Sequence, residues 1–277
     1  MAEINSNIIG LITDFGIKGT HYAASMKGII LKINPKVKII DISYNITQFS
    51  VIEAQYIVNT IYRNFPEGTI FIVVVDPGVG SPREIILIKT KSNYYFIGPN
   101  NGIFSNILTE NEIEECISIK NDKYFNKPVS KTFHGRDIMA PISAFITKGI
   151  NLNNFGPKFD LNNFKIVSLQ CEILEKSKKI KSLIQYIDNF GNGVTNILLD
   201  NNQIKNSSMI LKEGQIIEFE LKSRTYKAEF CTYFEAVSAK KILLLKGSTD
   251  FLEISINLGN AAKQVGFDVG DQLIFTL

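Results

Sequence analysis

The chain has no tryptophan, two histidines and three cysteines among its 277 residues. So little histidine excludes an all-histidine zinc site, and any metal would rest mainly on carboxylates. No metal and no cofactor are expected. Cys116, Cys171 and Cys231 lie far apart without a CxxC pair. That odd, scattered set fits free, mostly buried thiols in a reducing compartment. A charge excess is also missing. Lys plus Arg is 30 and Asp plus Glu is 27, a formal net charge of +3, too small to announce a nucleic-acid or anionic membrane partner. Long apolar runs are absent as well. Residues 70–75 have strand length, far short of the roughly 20 residues that a membrane span needs. The polar stretch 1–7 has no basic flank leading into an apolar core. No secretory leader is therefore expected, and the chain reads as cytoplasmic.

What is present is the composition of a globular protein, 45% hydrophobic and 21% charged, at a length where chains divide into two domains. Residues 8–13 form an isoleucine-rich run ending in Asp14-Phe15-Gly16, a buried strand entering a turn. Tyr22, Met26, Ile29, Ile30 and Ile33 then recur at helical spacing until Asn34-Pro35. Residues 37–42 resume strand character, and Ser50-Val51-Ile52-Glu53 has the capping-box pattern of a second helix. Residues 69–75 are the most β-branched run of the chain, as a central parallel strand covered on both faces should be. This alternation predicts an α/β domain with a mostly parallel sheet over 1–150. Residues 151–171, rich in Asn, Lys and Phe at their start, read as a linker. From 172 to 277, short apolar runs broken by turn residues predict a smaller all-β, barrel-like domain.

In open parallel sheets the ligand crevice lies beyond the carboxyl ends of the strands, where Asp14 and Asp76 fall. A carboxylate at the first strand's end suits paired ribose hydroxyls, and a helix cap or turn aspartate is the plainer reading. The run Asp76-Pro77-Gly78-Val79-Gly80-Ser81-Pro82-Arg83 holds a carboxylate and a guanidinium able to pair across a glycine loop. A tight structural turn with an ion pair is the alternative. GxGxxG and Walker spacings are absent, which excludes the standard dinucleotide and P-loop sites. His134, in Thr132-Phe133-His134-Gly135-Arg136-Asp137, is suited to proton transfer near neutral pH; by itself it also reads as a cap or surface residue. A kinase catalytic loop is excluded, because no Gly-rich loop or VAIK lysine precedes it.

These segments, together with Met26-Lys27-Gly28, Asp41-Ile42-Ser43, Pro99-Asn100-Asn101-Gly102, Asp188-Asn189-Phe190-Gly191-Asn192, the run from Leu252 to Asn257 and Asn260-Ala261-Ala262, resemble the S-adenosyl-L-methionine hydroxide adenosyltransferases, relatives of fluorinase and chlorinase. The match runs in order over nearly the whole chain. The resemblance implies hydrolysis of S-adenosyl-L-methionine to adenosine and L-methionine by attack of water or hydroxide at C5′, in a homotrimer with sites at subunit interfaces. It carries the reacting set to Asp76, Arg83 and His134, which halogenating relatives lack, and leaves open whether His134 binds the water or accepts its proton. It carries Asp14 to the ribose, Asp188 to the methionine ammonium and Asn192 to the adenine edge. Backbone groups near Ser248 and Ala261 complete the pocket. Phe190 is an apolar wall or a core residue of the β domain. The chain departs from the family at Lys18-Gly19-Thr20-His21-Tyr22, where an aspartate is common, at Tyr44 for histidine, and at Asn100 for aspartate. A halide-using transferase and a binding-only sensor of S-adenosylmethionine or adenosine are the alternative functions.

Overall fold

A computed structural model describes residues 7–109 and 111–277. The start of the polar N-terminal stretch, residues 1–6, lies outside them. The chain divides into two units, Met1–Ser168 and Leu169–Leu277.

In the first unit, β1 (Ile8–Thr13), β2 (Lys38–Ser43), β3 (Ile70–Val74), β4 (Ile85–Thr90), β5 (Tyr95–Pro99) and β6 (Ile113–Ser118) form one sheet in the order β2-β1-β3-β5-β4-β6. The pairs β1–β2, β1–β3 and β3–β5 are parallel, and only β4 runs against its neighbours. The sheet is mostly parallel, as expected. Helices α1 (Thr20–Ile33), α2 (Val51–Ile61), α3 (Ser105–Thr109) and α4 (Ala140–Thr147) complete the unit. In β3, Ile70, Ile72 and Val74 join a core that includes Met26 and Ile30 of α1 and Ile142 of α4. Phe71 and Val73 join a second core with Ala54 and Val58 of α2. Side chains alternate between the faces of a strand, so a strand apolar at every position is the one covered on both.

The cap of α2 differs in detail from a closed capping box. Ser50 Oγ accepts from the Glu53 amide at 3.3 Å, but the Glu53 carboxylate reaches back past the cap to the Thr47 amide at 2.6 Å. Edge strand β6 carries Glu114 and Glu115 beside its apolar residues, so its strand character is weak in the pattern. The stretch 151–168, expected as linker, belongs to the first unit. Phe155 is buried in one core, and Phe159 and Phe164 in the other. Its aromatic content is core, which polar neighbours hid.

The second unit comprises β7 (Glu172–Leu174), β8 (Lys179–Ile187), β9 (Gly193–Asp200), β10 (Gln203–Ile204), β11 (Ile216–Leu221), β12 (Arg224–Cys231), β13 (Ile242–Lys246), β14 (Phe251–Ile256) and β15 (Gln272–Thr276). The order β9-β14-β13-β12-β11-β15-β8 closes because β8 also pairs with β9, giving a seven-stranded barrel. Ile184, Ile197, Phe219, Phe230, Leu244, Ile254 and Phe275 fill it. A π-helical turn, Ala262–Gly266, and two 3-10 turns, Glu175–Ser177 and Phe234–Ala236, interrupt the all-β pattern. No described helix is long and apolar enough to cross a membrane.

Phe71 is fully buried and stacks on Phe96 at a centroid distance of 5.3 Å. Phe71→Ala is expected to destabilise the first unit by about 3–5 kcal/mol, the usual cost of an aromatic cavity. Urea unfolding followed by tyrosine fluorescence measures it, since no tryptophan contributes; a loss under about 1 kcal/mol would mean that this face is not close-packed.

Candidate active site

Asp76 follows the end of β3 after one intervening residue, Val75, at the carboxyl end of the sheet's central strands. Asn101 Nδ2 donates to the Val75 carbonyl at 2.9 Å, holding the chain where β3 ends and the loop begins. Seven residues on, Arg83 Nε donates to both Asp76 oxygens at 2.8 and 2.9 Å, and Arg83 Nη2 also bonds Asp76 Oδ2. The pair is secluded, with side chains 12% and 4% exposed. Arg83 Nη2 lies 3.0 Å from His134 Nδ1. A guanidinium can only donate, so Nδ1 accepts, and the neutral ring carries its proton on Nε2. The structural turn with an ion pair is therefore present, and a histidine is joined to it.

His134 stands before a π-helical turn, Gly135–Met139, that runs straight into α4, and its side chain makes no capping bond there. Gly135 lets this turn lie close on Val74 and Met26: a Cβ would meet Val74 at 3.2 Å and Met26 Sδ at 3.3 Å. The preceding loop is tied down by Asp137, which is fully buried. Asp137 accepts from Asn126 Nδ2 at 2.7 Å, the Ser130 amide at 2.9 Å, and Arg136 Nε and Nη2 at 2.7 and 2.8 Å. Burial opposes its charge, but these donors together hold its carboxyl below the ordinary range. The opposing loop approaches through Gly80, at φ +81°, where a Cβ would collide with the Lys131 carbonyl oxygen.

Asp14 sits at the end of β1. It is no helix cap: the Phe49 amide donates to its Oδ2 at 2.9 Å from a distant loop. Burial pushes its carboxyl up, the Phe49 amide pulls it down, and the charge of Asp76 adds to the rise. Phe15 meets Tyr22 and Phe133 edge-on at 5.6 and 5.9 Å, joining the Asp14 turn to the His134 loop. Ile17 and Phe49 beside it are exposed.

In the second unit, Asp188 Oδ1 accepts from the Phe190 and Asn192 amides, both at 2.9 Å, and Oδ2 accepts from Asn192 Nδ2 at 2.9 Å. The turn thus locks two of the expected residues to each other. Asp188, Phe190, Asn192 and Ser248 line one cavity of about 830 Å³, a size suited to a small ligand. Phe190 is 77% exposed, which rules out a core role. Ala261 is buried in the barrel core and does not line the cavity. Glu253, which the sequence reading passed over, lines the same cavity. Its apolar neighbours in Phe251-Leu252-Glu253-Ile254 mark the strand and not the site.

Burial, and then the positive charge of Arg83, lower the His134 pKa below the ordinary 6.5, against the pull of Asp76 and Asp137. His134 is therefore neutral at pH 7. With only two histidines, NMR can follow its ring. Its midpoint is expected below 6.5 and should rise in Arg83→Met, which removes the cationic neighbour. A midpoint unmoved by that change would show that the guanidinium does not act on the ring.

The model of the SAM hydroxide adenosyltransferase N-terminal domain matches residues 9–156, and that of the C-terminal domain matches 182–274. A protein called (R)-S-adenosyl-L-methionine hydrolase, from Methanocaldococcus jannaschii, is 35% identical over 273 residues, covering 96% of this chain and 95% of that one. A fluorinase from Actinoplanes is 29% identical over 172 residues, covering 54% of this chain and 57% of its own. The crystal structure of an uncharacterized conserved protein from Thermotoga maritima superposes with a TM-score of 0.85 at 32% identity, covering 97% of this chain and 100% of that one. Both halves are matched in order and the likeness extends almost from end to end, so the chain belongs to the SAM hydroxide adenosyltransferase family.

Proposed function

We propose that the protein hydrolyses S-adenosyl-L-methionine to adenosine and L-methionine, with Asp76, Arg83 and His134 at the reacting centre. One observation carries the reading: a single guanidinium bonds both the Asp76 carboxylate and the His134 ring at the carboxyl end of the sheet. The substrate's sulfur leaves as a neutral thioether, so the reaction needs no acid at the leaving group. It needs an oxygen in line with the C5′–S bond and freed of competing water.

His134 holds that oxygen by donating from Nε2, because Nδ1 is engaged by Arg83. Arg83 favours negative charge on the oxygen, and Asp76 fixes the plane of the guanidinium. The O–C5′ bond forms as the C5′–S bond breaks, and sulfur keeps the electron pair. The proton lost by a water nucleophile passes to solvent.

Asp14 takes the ribose hydroxyls, Asp188 the methionine ammonium and the Asn192 amide the adenine edge. Phe190 covers the ligand, and main-chain groups at Ser248 and Ala261 complete its contacts. In this reading the working form is a homotrimer with its sites at subunit interfaces. The apolar side chains left exposed beside each half of the site, Ile17 and Phe49 in one and Phe190 and Leu258 in the other, support it. The three free thiols fit a cytoplasmic setting.

Purified protein incubated with S-adenosylmethionine in ¹⁸O-water is expected to release adenosine carrying the label at its 5′ oxygen, as read by mass spectrometry. His134→Ala and Arg83→Ala should each slow the reaction by about 10²–10³-fold, as loss of a transition-state donor does, with circular dichroism unchanged. Formation of 5′-halo-adenosine in chloride or fluoride buffer would replace hydrolysis with halide transfer. A bound substrate that stays intact would leave a sensor.

A further inference from the structure

The cavity of the second unit holds a carboxyl that the proposed chemistry has not used. Glu253 lies on β14, opposite Leu245 of β13 and Val194 of β9, both apolar. Its side chain lies over Gly247, where a Cβ would collide with the carboxyl. The absence of a side chain at that position is what makes room for it. No described residue gives this carboxyl a hydrogen bond or an ion pair. The charged and titratable groups around it are few. Asp188 faces it from the 188–192 turn, Glu235 and Tyr233 line the cavity from the loop after β12, and Lys246 at the end of β13 is tied to Asp250 at 2.7 Å. The cavity therefore sets two carboxyls near each other, with apolar side chains of Phe190, Leu245 and Ile256 around them and no cation committed to either.

A half-buried carboxyl without a donor costs stability. Burial, with the charge of Asp188 adding to it, raises Glu253 to about 7. Asp188 differs, since amides already satisfy part of its acceptor capacity. A ligand carrying a positive group between the two carboxyls would supply what Glu253 lacks.

We propose that Glu253 is a specificity-determining residue of this cavity, pairing with Asp188 to recognise the cationic amino group at the amino-acid end of the substrate. This rests on the hydrolase reading for the identity of the ligand. It adds that recognition is linked to a proton: a cation entering the cavity draws the Glu253 proton off, so the amino-acid end binds more tightly as pH rises through neutrality. The nucleoside end, which has no cation, is indifferent to it.

The test is calorimetric binding of L-methionine to the adenosine-loaded full-length protein between pH 6 and 8, where the ligand's own amine stays protonated. For the unaltered protein the Kd should fall about tenfold over that range, with proton release visible as a dependence of enthalpy on buffer. Glu253→Gln keeps the shape of the side chain. It should leave a weak Kd that no longer changes with pH, while adenosine affinity stays equal in the two proteins. A second readout guards against a folding defect. Folded Glu253 titrates above its unfolded value of 4.5, so its presence costs stability as pH rises from there through 7. Glu253→Gln should thus melt higher than the unaltered protein at pH 8 and alike near pH 4. Equal pH slopes in the two proteins, or an equal loss for adenosine, would overturn the proposal. If methionine binding follows the expected pattern but no adenosine is ever released from S-adenosylmethionine, it is the hydrolase reading that falls and the cation site that stands.

Discussion

Everything at the carboxyl end of the first sheet depends on where one guanidinium lies. Arg83 can only donate, so its two contacts impose roles on their acceptors: Asp76 accepts through both oxygens and His134 through Nδ1. The tautomer of the histidine follows from the arginine next to it. A lysine could carry the same charge but could not span both partners with planar, fixed donors. Because the pair is nearly dry, removing either member would strand the other's charge in a setting that cannot solvate it. The ion pair is thus structural, as one of the two readings of the Asp76 loop expects, and in the proposed reaction it is chemical as well.

That arginine is useful only if two loops from different parts of the chain hold their distance. Gly80 and the Lys131 carbonyl make one brace, since no side chain fits between them. Asp137 braces the His134 loop from within, collecting four donors from Asn126, Ser130 and Arg136. Phe133 adds an aromatic face shared with Phe15 and Tyr22. None of these groups needs to touch a ligand. They explain why Asp137, a charged residue close to His134, is fully buried.

The mostly parallel first sheet, the doubly covered β3 and the all-β, barrel-like character of the second unit were legible because periodicity reports burial, and burial is what these elements share. Asp14 and Asp76 were legible as strand-end residues for a similar reason, since topology sets which loops lie at the carboxyl ends of a parallel sheet. Three things were not. Phe155, Phe159 and Phe164 looked like linker because irregular backbone has no period, although their burial is as complete as that of strand residues. The motif around Ala261 named its backbone, and nothing in the pattern says that its side chain turns into the barrel core. Glu253 was legible only as part of an apolar strand motif; the missing side chain at Gly247 makes room for its carboxyl beside a cavity.

The charge carried by the reacting set fits the charge carried by the proposed substrate. A sulfonium is cationic, and a bare arginine beside it would repel what it must receive. Asp76 cancels that charge, and burial with the Arg83 field keeps His134 neutral, so the three side chains sum to zero. The guanidinium still acts at short range on an oxygen within hydrogen-bonding distance, while at longer range its field is cancelled by the carboxylate. Asp14, whose own carboxyl feels Asp76, adds negative potential on the side of the sugar. Such an arrangement favours an electron-rich oxygen locally without opposing entry of the cation, which is the balance that displacement at a carbon bearing a positive leaving group requires. A protonated histidine would upset it, placing a second positive charge in the path of the sulfonium. The lowered basicity of His134 is therefore part of the site's chemistry as well as a consequence of its seclusion.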